Sequence, residues 1–368
     1  LGDPAFTATL SRKVIMQTEA FPDNPDALRL SLEETGLQPD VISHLVAQAR
    51  AAILLTTSES HEDDIALGAS KIGGRPDLPH GMAWPTRPAY PDAVTRAAGH
   101  RREAERLLAD SKKPRSWMTP EQGERFCAEY KAKAEAIETE FPLAFLGQIN
   151  LAELSVEGGF DPMFPNKGRL LLFYDYWEQP EDFTPEASVG WQVLFDETPE
   201  DALVRTDIPS ALSGISDDQW SCVFKAARIS TRSILTPIPP NDKGWDAFSL
   251  EDDEALDEYQ EWLSQFGTPD MEGRDNHQFG GFPQTLQNGL QATAQLVTSG
   301  LNCGSHEVWQ TDEARELIKS AGEWRLVMQL GVDKHAGIPS PGAYYVIMRD
   351  EDIAARRFDR ARITYQCD

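Results

Sequence analysis

The sequence has little cysteine, no paired cysteine spacing, few basic residues and no long apolar run. Its four cysteines, Cys127, Cys222, Cys303 and Cys367, are widely separated and form no C-x-x-C pair, which argues against zinc clusters and dithiol redox chemistry. Buried thiols in a reducing compartment are the expectation. The seven histidines are scattered, with no H-E-x-x-H or EF-hand pattern, so no metal and no cofactor is expected. No stretch nears the roughly 18 apolar residues of a spanning helix, and Leu1 to Leu10 lacks the basic region and apolar run of a secretory signal. A soluble, cytoplasmic protein without membrane contact is expected.

Positive charge is equally scarce. Lys and Arg number 34 against 60 Asp and Glu, giving 34 − 60 = −26. Such a field repels nucleic acid and attracts cationic partners. A Gly-rich nucleotide loop with a following Lys-Ser/Thr, or with G-x-G-x-x-G spacing, is also missing.

What is present fits an ordinary globular chain, with 40% hydrophobic and 26% charged residues. Pro39 to Leu55 reads as a helix entering a strand, since Pro suits the first helical turn and Ala51 to Thr57 turns β-like. Ser70-Lys71-Ile72-Gly73-Gly74-Arg75-Pro76-Asp77-Leu78-Pro79 is a rigid, irregular loop by its Gly and Pro content. Asp92 to Glu140 changes to Ala, Glu, Arg and Lys with a break at Lys113-Pro114-Arg115, the pattern of a two-helix hairpin inserted into the fold. Leu143 to Leu151, Gly168 to Asp175 and Gly190 to Phe195 read as strands.

The same order then recurs. Phe279-Gly280-Gly281-Phe282-Pro283 repeats Ile72-Gly73-Gly74-Arg75-Pro76, Leu326 to Asp333 repeats Phe145 to Leu151 with a Gln inside each apolar strand, and Gly342 to Asp350 repeats Gly168 to Asp175. Three elements in one order predict an internal duplication. The expected architecture is one α+β domain over 1–368, with duplicated, mainly antiparallel sheets and peripheral helices. Its first repeat spans 60–200 with the 92–140 hairpin inserted, its second 270–368, and an acidic segment at 201–269 connects them.

Taken together, S-K-I-G-G-x-P-x-L-P, F-L-x-Q-I-N-L, G-x-L-L-L-F-Y-D, F-G-G-x-P and W-x-L-x-x-Q-L resemble the YwqG-like family from about Ser70 to the C-terminus. That resemblance implies the duplicated antiparallel fold and brings no catalytic residues. It also implies kinship with proteins found among bacterial toxin and toxin-neutralising genes.

Two sets of residues are candidates for a site. Gln148 and Gln329 place an amide in an apolar strand of each repeat; they bond the opposite repeat's turn or, with Gly73, Gly74, Gly280 and Gly281, line a cleft at the repeat interface. The second set is electrostatic. Between Glu178 and Asp275 there are 6 basic and 23 acidic residues, so 6 − 23 = −17 falls in this stretch. Within it Ser249 begins a helix at capping-box spacing whose stripe of Leu256, Tyr259, Trp262, Leu263 and Phe266 faces inward. Glu251, Asp252, Asp253, Glu254, Asp257, Glu258 and Glu261 then crowd its start and its exposed face. The local Cys303-Gly304-Ser305-His306 spacing is the one nucleophile-like pair, and it reads as a turn. The leading expectation is a non-enzymatic binding protein whose partner is a basic protein such as a toxin domain, with an enzyme or small-molecule binder using the repeat cleft as the alternative.

Overall fold

The computed structural model describes residues 21–215, 221–247, 253–273, 277–339 and 342–367. Ten strands form one antiparallel sheet: β1 (Arg50–Glu59), β2 (Lys71–Ile72), β3 (Ala144–Asn150), β4 (Arg169–Tyr174), β5 (Trp191–Asp196), β6 (Ala227–Thr236), β7 (His277–Gly280), β8 (Trp324–Leu330), β9 (Ala343–Arg349) and β10 (Arg362–Gln366). Their spatial order is β10-β9-β8-β7-β1-β6-β2-β3-β4-β5. The antiparallel α+β class read from the sequence is the class observed.

The order is palindromic about the β1/β6 pair, and so is the register. Ile72 of β2 lies opposite Ala227 of β6, as Phe279 of β7 lies opposite Ile53 of β1. Gln148 faces Lys71 and Leu171 across its two neighbours, and Gln329 faces Gln278 and Tyr345. Even the bulge repeats, between Phe145 and Gly147 in β3 and between Leu326 and Met328 in β8. A bulge marks where a strand must bend, so both halves bend at one place. The boundaries at 60, 200 and 270 divide the sheet differently from its symmetry: β1 precedes residue 60 and β6 lies inside 201–269. The polar alternation of Arg228, Ser230 and Arg232 gives β6 a weak hydrophobic signal for a strand at the centre of a sheet.

Both faces of the sheet are covered, which is why Leu170-Leu171-Leu172-Phe173-Tyr174 is continuously apolar. On one face Ile53, Leu55, Leu172, Tyr174, Phe279, Tyr344 and Val346 belong to a single core. The sheet curls around that core until its ends meet, with Trp191 Nε1 donating to Ala361 O at 3.0 Å and the Tyr174 and Tyr344 rings 5.1 Å apart. On the other face, α1 (Pro25–Glu33), α2 (Pro39–Gln48) and α5 (Asp253–Ser264) pack over Ala52 and Ile234. α6 (Leu290–Thr298) covers Leu326, Tyr345 and Ile347.

α3 (Ala93–Ser111) and α4 (Pro120–Ile137) form the hairpin that interrupts the sequence between β2 and β3. Thr119 and Gln122 make a reciprocal capping box and Pro120 opens α4, so the second helix starts where its sequence dictates. Its base is fastened to the body by Glu178, which receives His100 at 3.0 Å and Arg96 at 3.4 Å.

Candidate functional site

Each Gly-Gly pair turns with both residues in the left-handed region: φ is +64° and +73° at Gly73 and Gly74, +70° and +71° at Gly280 and Gly281. Only glycine adopts successive such angles without strain. The turn leaves backbone N–H groups to be satisfied, and the two halves of the sheet solve this alike. Gln148 Oε1 accepts from Asp77 N at 3.0 Å, and Gln329 Oε1 accepts from Gln284 N at 2.9 Å. Two residues earlier, Arg75 N donates to Glu62 Oε2 and Phe282 N to Thr236 Oγ1, each at 2.9 Å. Gly73 N and Gly74 N donate to Leu146 O and Phe224 O. The first turn therefore spends its donors internally and offers no nest for a phosphate.

Each glutamine thus clamps the turn of its own half, not the turn of the opposite half that the sequence led us to expect. The two turns do not share a cleft. Gly280 pairs with Ala52, whereas Ile72 lies beside Ala227, which pairs with Glu59 at the other end of β1. Seven residues of strand, about 23 Å, separate them.

Chemistry differs where geometry agrees. In the first half, Lys71 occupies the position of Gln278 and Asp77 that of Gln284. Lys71 Nζ, fully buried, lies 2.9 Å from Glu62 Oε1 and 3.5 Å from Asp77 Oδ2. Arg205 Nε meets Asp77 Oδ1 at 2.9 Å and Glu62 Oε1 at 3.5 Å. Gln148 Nε2 completes the cluster by donating to Asp77 Oδ2 at 2.8 Å. Burial lowers the Lys71 ammonium below its ordinary range against the pull of both carboxylates. Burial would raise Asp77, but Arg205, Lys71 and the donors from Gly68 and Gln148 outweigh it and hold the carboxyl down. Two cations and two anions balance, and their polar atoms are engaged with one another.

A second buried constellation ties β1 to β7 and to the segment after β8. His277 Nδ1 accepts from Gly331 N at 3.1 Å, so Nε2 carries the proton toward Asp333 Oδ2 at 2.7 Å. Thr57 Oγ1 donates to the same oxygen at 2.5 Å, and the N–H groups of His335 and Ala336 donate to Oδ1. Burial pushes Asp333 up, and these donors overcome it to bring the carboxyl down to about 2. A depressed carboxyl contributes stability that is complete above its unfolded value and is lost as pH falls through the folded one. Unfolding free energy should therefore decline by about 2 kcal/mol between pH 4 and pH 2 through this group. In Asp333→Asn that part of the acid limb should be missing; chemical denaturation across this range measures it, and an unchanged limb would assign the acid sensitivity elsewhere.

Cys303 and His306 do not form a nucleophile pair. Burial, with the Asp182 carboxylate adding to it, pushes the Cys303 thiol up to about 11, and the His306 ring faces Gln310 instead. Among the described residues no group of three His, Cys, Asp or Glu is arranged to hold a metal, and no helix is long and apolar enough to cross a membrane.

A cleft does lie beside the second turn. It measures ≈ 340 Å³ and its apolar walls are Pro237, Pro239, Pro240, Phe282, Pro283 and Leu263. Gln284, whose N–H Gln329 fixes, also lines it, as does Gln260 of α5. Of the predicted residues Gly280, Gly281 and Gln329 none lines it; Gln329 reaches it only through the N–H of Gln284. In the other half the strand pair Asp77–Pro79 and Leu203–Arg205 packs beside the turn. Sequence reasoning passed over Pro237, Pro239 and Pro240, although three prolines in four residues mark a stiff wall.

The acid of the middle stretch is divided between uses. Asp182 is buried against Arg362 and Thr364, Asp196 pairs with Arg169, and Asp207 with Arg75. α5 is different. Tyr259 and Trp262 point inward with Phe266 just beyond, whereas Asp253, Glu254, Asp257 and Glu261 are exposed and Glu258 is half-buried near Gly36. Among the described residues, no cation pairs with Asp253, Asp257, Glu258 or Glu261. Glu251 and Asp252, the other two predicted members, lie outside the described residues, as does the Ser249 cap.

Residues 70–367 match the model of a family described as Domain of unknown function (DUF1963). No curated protein matches the chain.

Proposed function

We propose a function from the premise that this chain belongs to the DUF1963 family, a domain of unknown function: it is a non-enzymatic binding protein that captures a cationic protein partner in the cytoplasm. The finer reading is a YwqG-like immunity protein that neutralises a basic bacterial toxin domain such as a nuclease. We further propose that the two five-strand halves are copies of one unit, with the α3/α4 hairpin added to the first.

The observation that carries the binding reading is the exposed row Asp253, Asp257 and Glu261 of α5, with which no cation among the described residues pairs. Buried Asp77, Asp175 and Asp182 are answered by internal cations, whereas this solvent-facing row is open to an external one. Self-repulsion along that row costs stability, and a cation docking there relieves it. Nucleases carry basic clefts for phosphate, and a helix of carboxylates can occupy such a cleft. A net charge of −26 would also steer a basic partner from a distance.

The alternative, a ligand-binding protein, has one observation in its favour, the proline-walled cleft beside α5. The test of the leading reading is kinetic. A partner isolated with the protein from its native cells should associate at rates that fall steeply with salt. Replacing Glu254, Asp257, Glu258 and Glu261 with Gln or Asn should slow association about 10- to 100-fold and flatten the salt dependence. A partner whose association is equally fast in low and high salt, or is untouched by the four replacements, would refute the electrostatic reading.

A further inference from the structure

The cleft and the acidic row are one continuous surface. Gln260 and Ser264 line the cleft, and Asp257 sits three residues before Gln260 on the same helical face, with Asp253 a turn further back. Glu261 flanks them. The walls opposite are supplied by the Pro237 to Pro240 segment and by the Phe282-Pro283 turn, which Thr236 and Gln329 fix through the N–H groups of Phe282 and Gln284. Four prolines and a hydrogen-bonded turn make the cavity preformed, so little ordering is needed on binding. Its volume of ≈ 340 Å³ is at the small end of ligand pockets and suits one large side chain rather than a whole cofactor.

We propose that this cleft receives an apolar, preferably aromatic, side chain of the cationic partner, with basic residues of the same segment lying along Asp257 and Asp253. This inference rests on the binding reading above and names the element recognised. The occupant follows from charge complementarity: carboxylates one turn from the mouth select a segment with basic residues beside its apolar anchor. One helical turn is about 5 Å, the span of about two residues of extended chain, so the basic residue should stand about two positions from the anchor. Selectivity then has two independent parts. The cleft rewards the apolar side chain by its burial, and the acidic row rewards the sign of the neighbouring charge.

The test uses the intact protein and three peptides followed by NMR titration: Ac-Lys-Lys-Ala-Trp-NH2, Ac-Lys-Lys-Ala-Ala-NH2 and Ac-Glu-Glu-Ala-Trp-NH2. The first should bind at least about 10-fold tighter than either of the others, which lack the anchor or reverse the charge. Gln260→Trp, a substitution at an exposed helix position, should fill the cleft and abolish the advantage of the Trp peptide while leaving Ac-Lys-Lys-Ala-Ala-NH2 unaffected. Ser264→Trp, one turn on, provides the same obstruction if the first variant does not fold. The triple variant Asp253→Asn/Asp257→Asn/Glu261→Gln should weaken both lysine peptides.

Equal binding of the two lysine peptides would overturn the cleft's role and leave the electrostatic reading standing. Equal binding of the two Trp peptides would overturn the charge selectivity. Absence of binding by any peptide at millimolar concentration, or self-association of the protein that Gln260→Trp removes, would overturn the assignment of the cleft to a foreign segment. Failure of the binding reading itself would appear separately, as a native partner indifferent to the α5 charges.

Discussion

Replacing Lys71 with Gln is expected to lower the unfolding free energy by about 3 to 5 kcal/mol, and replacing Asp77 with Gln at the same time to restore most of the loss. Lys71, Arg205, Glu62 and Asp77 form a neutral set of four charges around the first turn. Removing the ammonium alone leaves an unbalanced carboxylate where burial is near complete. Removing Lys71 and Asp77 together restores neutrality. The second half of the sheet shows that two amides fit these positions, since Gln278 and Gln284 stand there around an equally placed Gln329. The two single replacements should therefore be strongly non-additive, with a coupling of about 3 kcal/mol or more, at the top of the usual range. Denaturant unfolding of the wild type, both single variants and the double variant completes the cycle; additive losses would mean that Arg205 and Glu62 alone hold the turn.

A comparably large loss should separate two glycines that look alike in sequence. Gly73 and Gly280 open the two turns with φ of +64° and +70°, so alanine at either site incurs about 1 to 2 kcal/mol of backbone strain. At Gly73 the added Cβ would also stand 2.2 Å from Lys225 O, a backbone atom that cannot move alone. At Gly280 the nearest atom is 3.8 Å away on the Phe164 ring, an ordinary contact. Gly280→Ala is therefore expected to fold with a small loss of stability, and Gly73→Ala to lose about 4 kcal/mol or more, or to fail to accumulate. Similar melting temperatures for the two variants would contradict the close approach of Lys225.

These pairs mark how far the sequence could be read. The order of Gly-Gly, Gln and Leu-rich strands was visible because each repeat keeps the residues its backbone needs: glycine for positive φ, and an amide to accept an N–H inside an apolar strand. The antiparallel α+β class followed from that order. The partner of each amide did not follow, because Gln148 reaches Asp77 across 71 residues and only strand register brings them together. β6 was obscured by its polar alternation within an acidic stretch. On α5 the inward positions were legible from helical spacing, and Tyr259, Trp262 and Phe266 are buried. The cleft was not, since its walls come from residues 21, 236–241, 260–268 and 282–285. The His277–Asp333–Thr57 network was equally hidden, its members being separated by up to 276 residues.

The palindromic sheet also bears on how the chain reaches its native state during synthesis. β1 leaves the ribosome early, yet both of its neighbours come late, β6 at Ala227–Thr236 and β7 at His277–Gly280. Until then its apolar Ile53, Leu54 and Leu55 have unpaired backbone on either side, the condition that invites mispairing and aggregation. At about 5 to 20 residues per second, roughly 9 to 35 seconds pass between emergence of β1 and of β6. Loop closure over that separation makes the central pairing a slow, high-contact-order step. The first half cannot shelter itself by finishing ahead of the second, because its central strand β6 pairs along its whole length with β1, and β1 remains a sheet edge until β7 arrives. Folding at the middle of the sheet is thus tied to translation, since β1 keeps an open edge until β7 has been made.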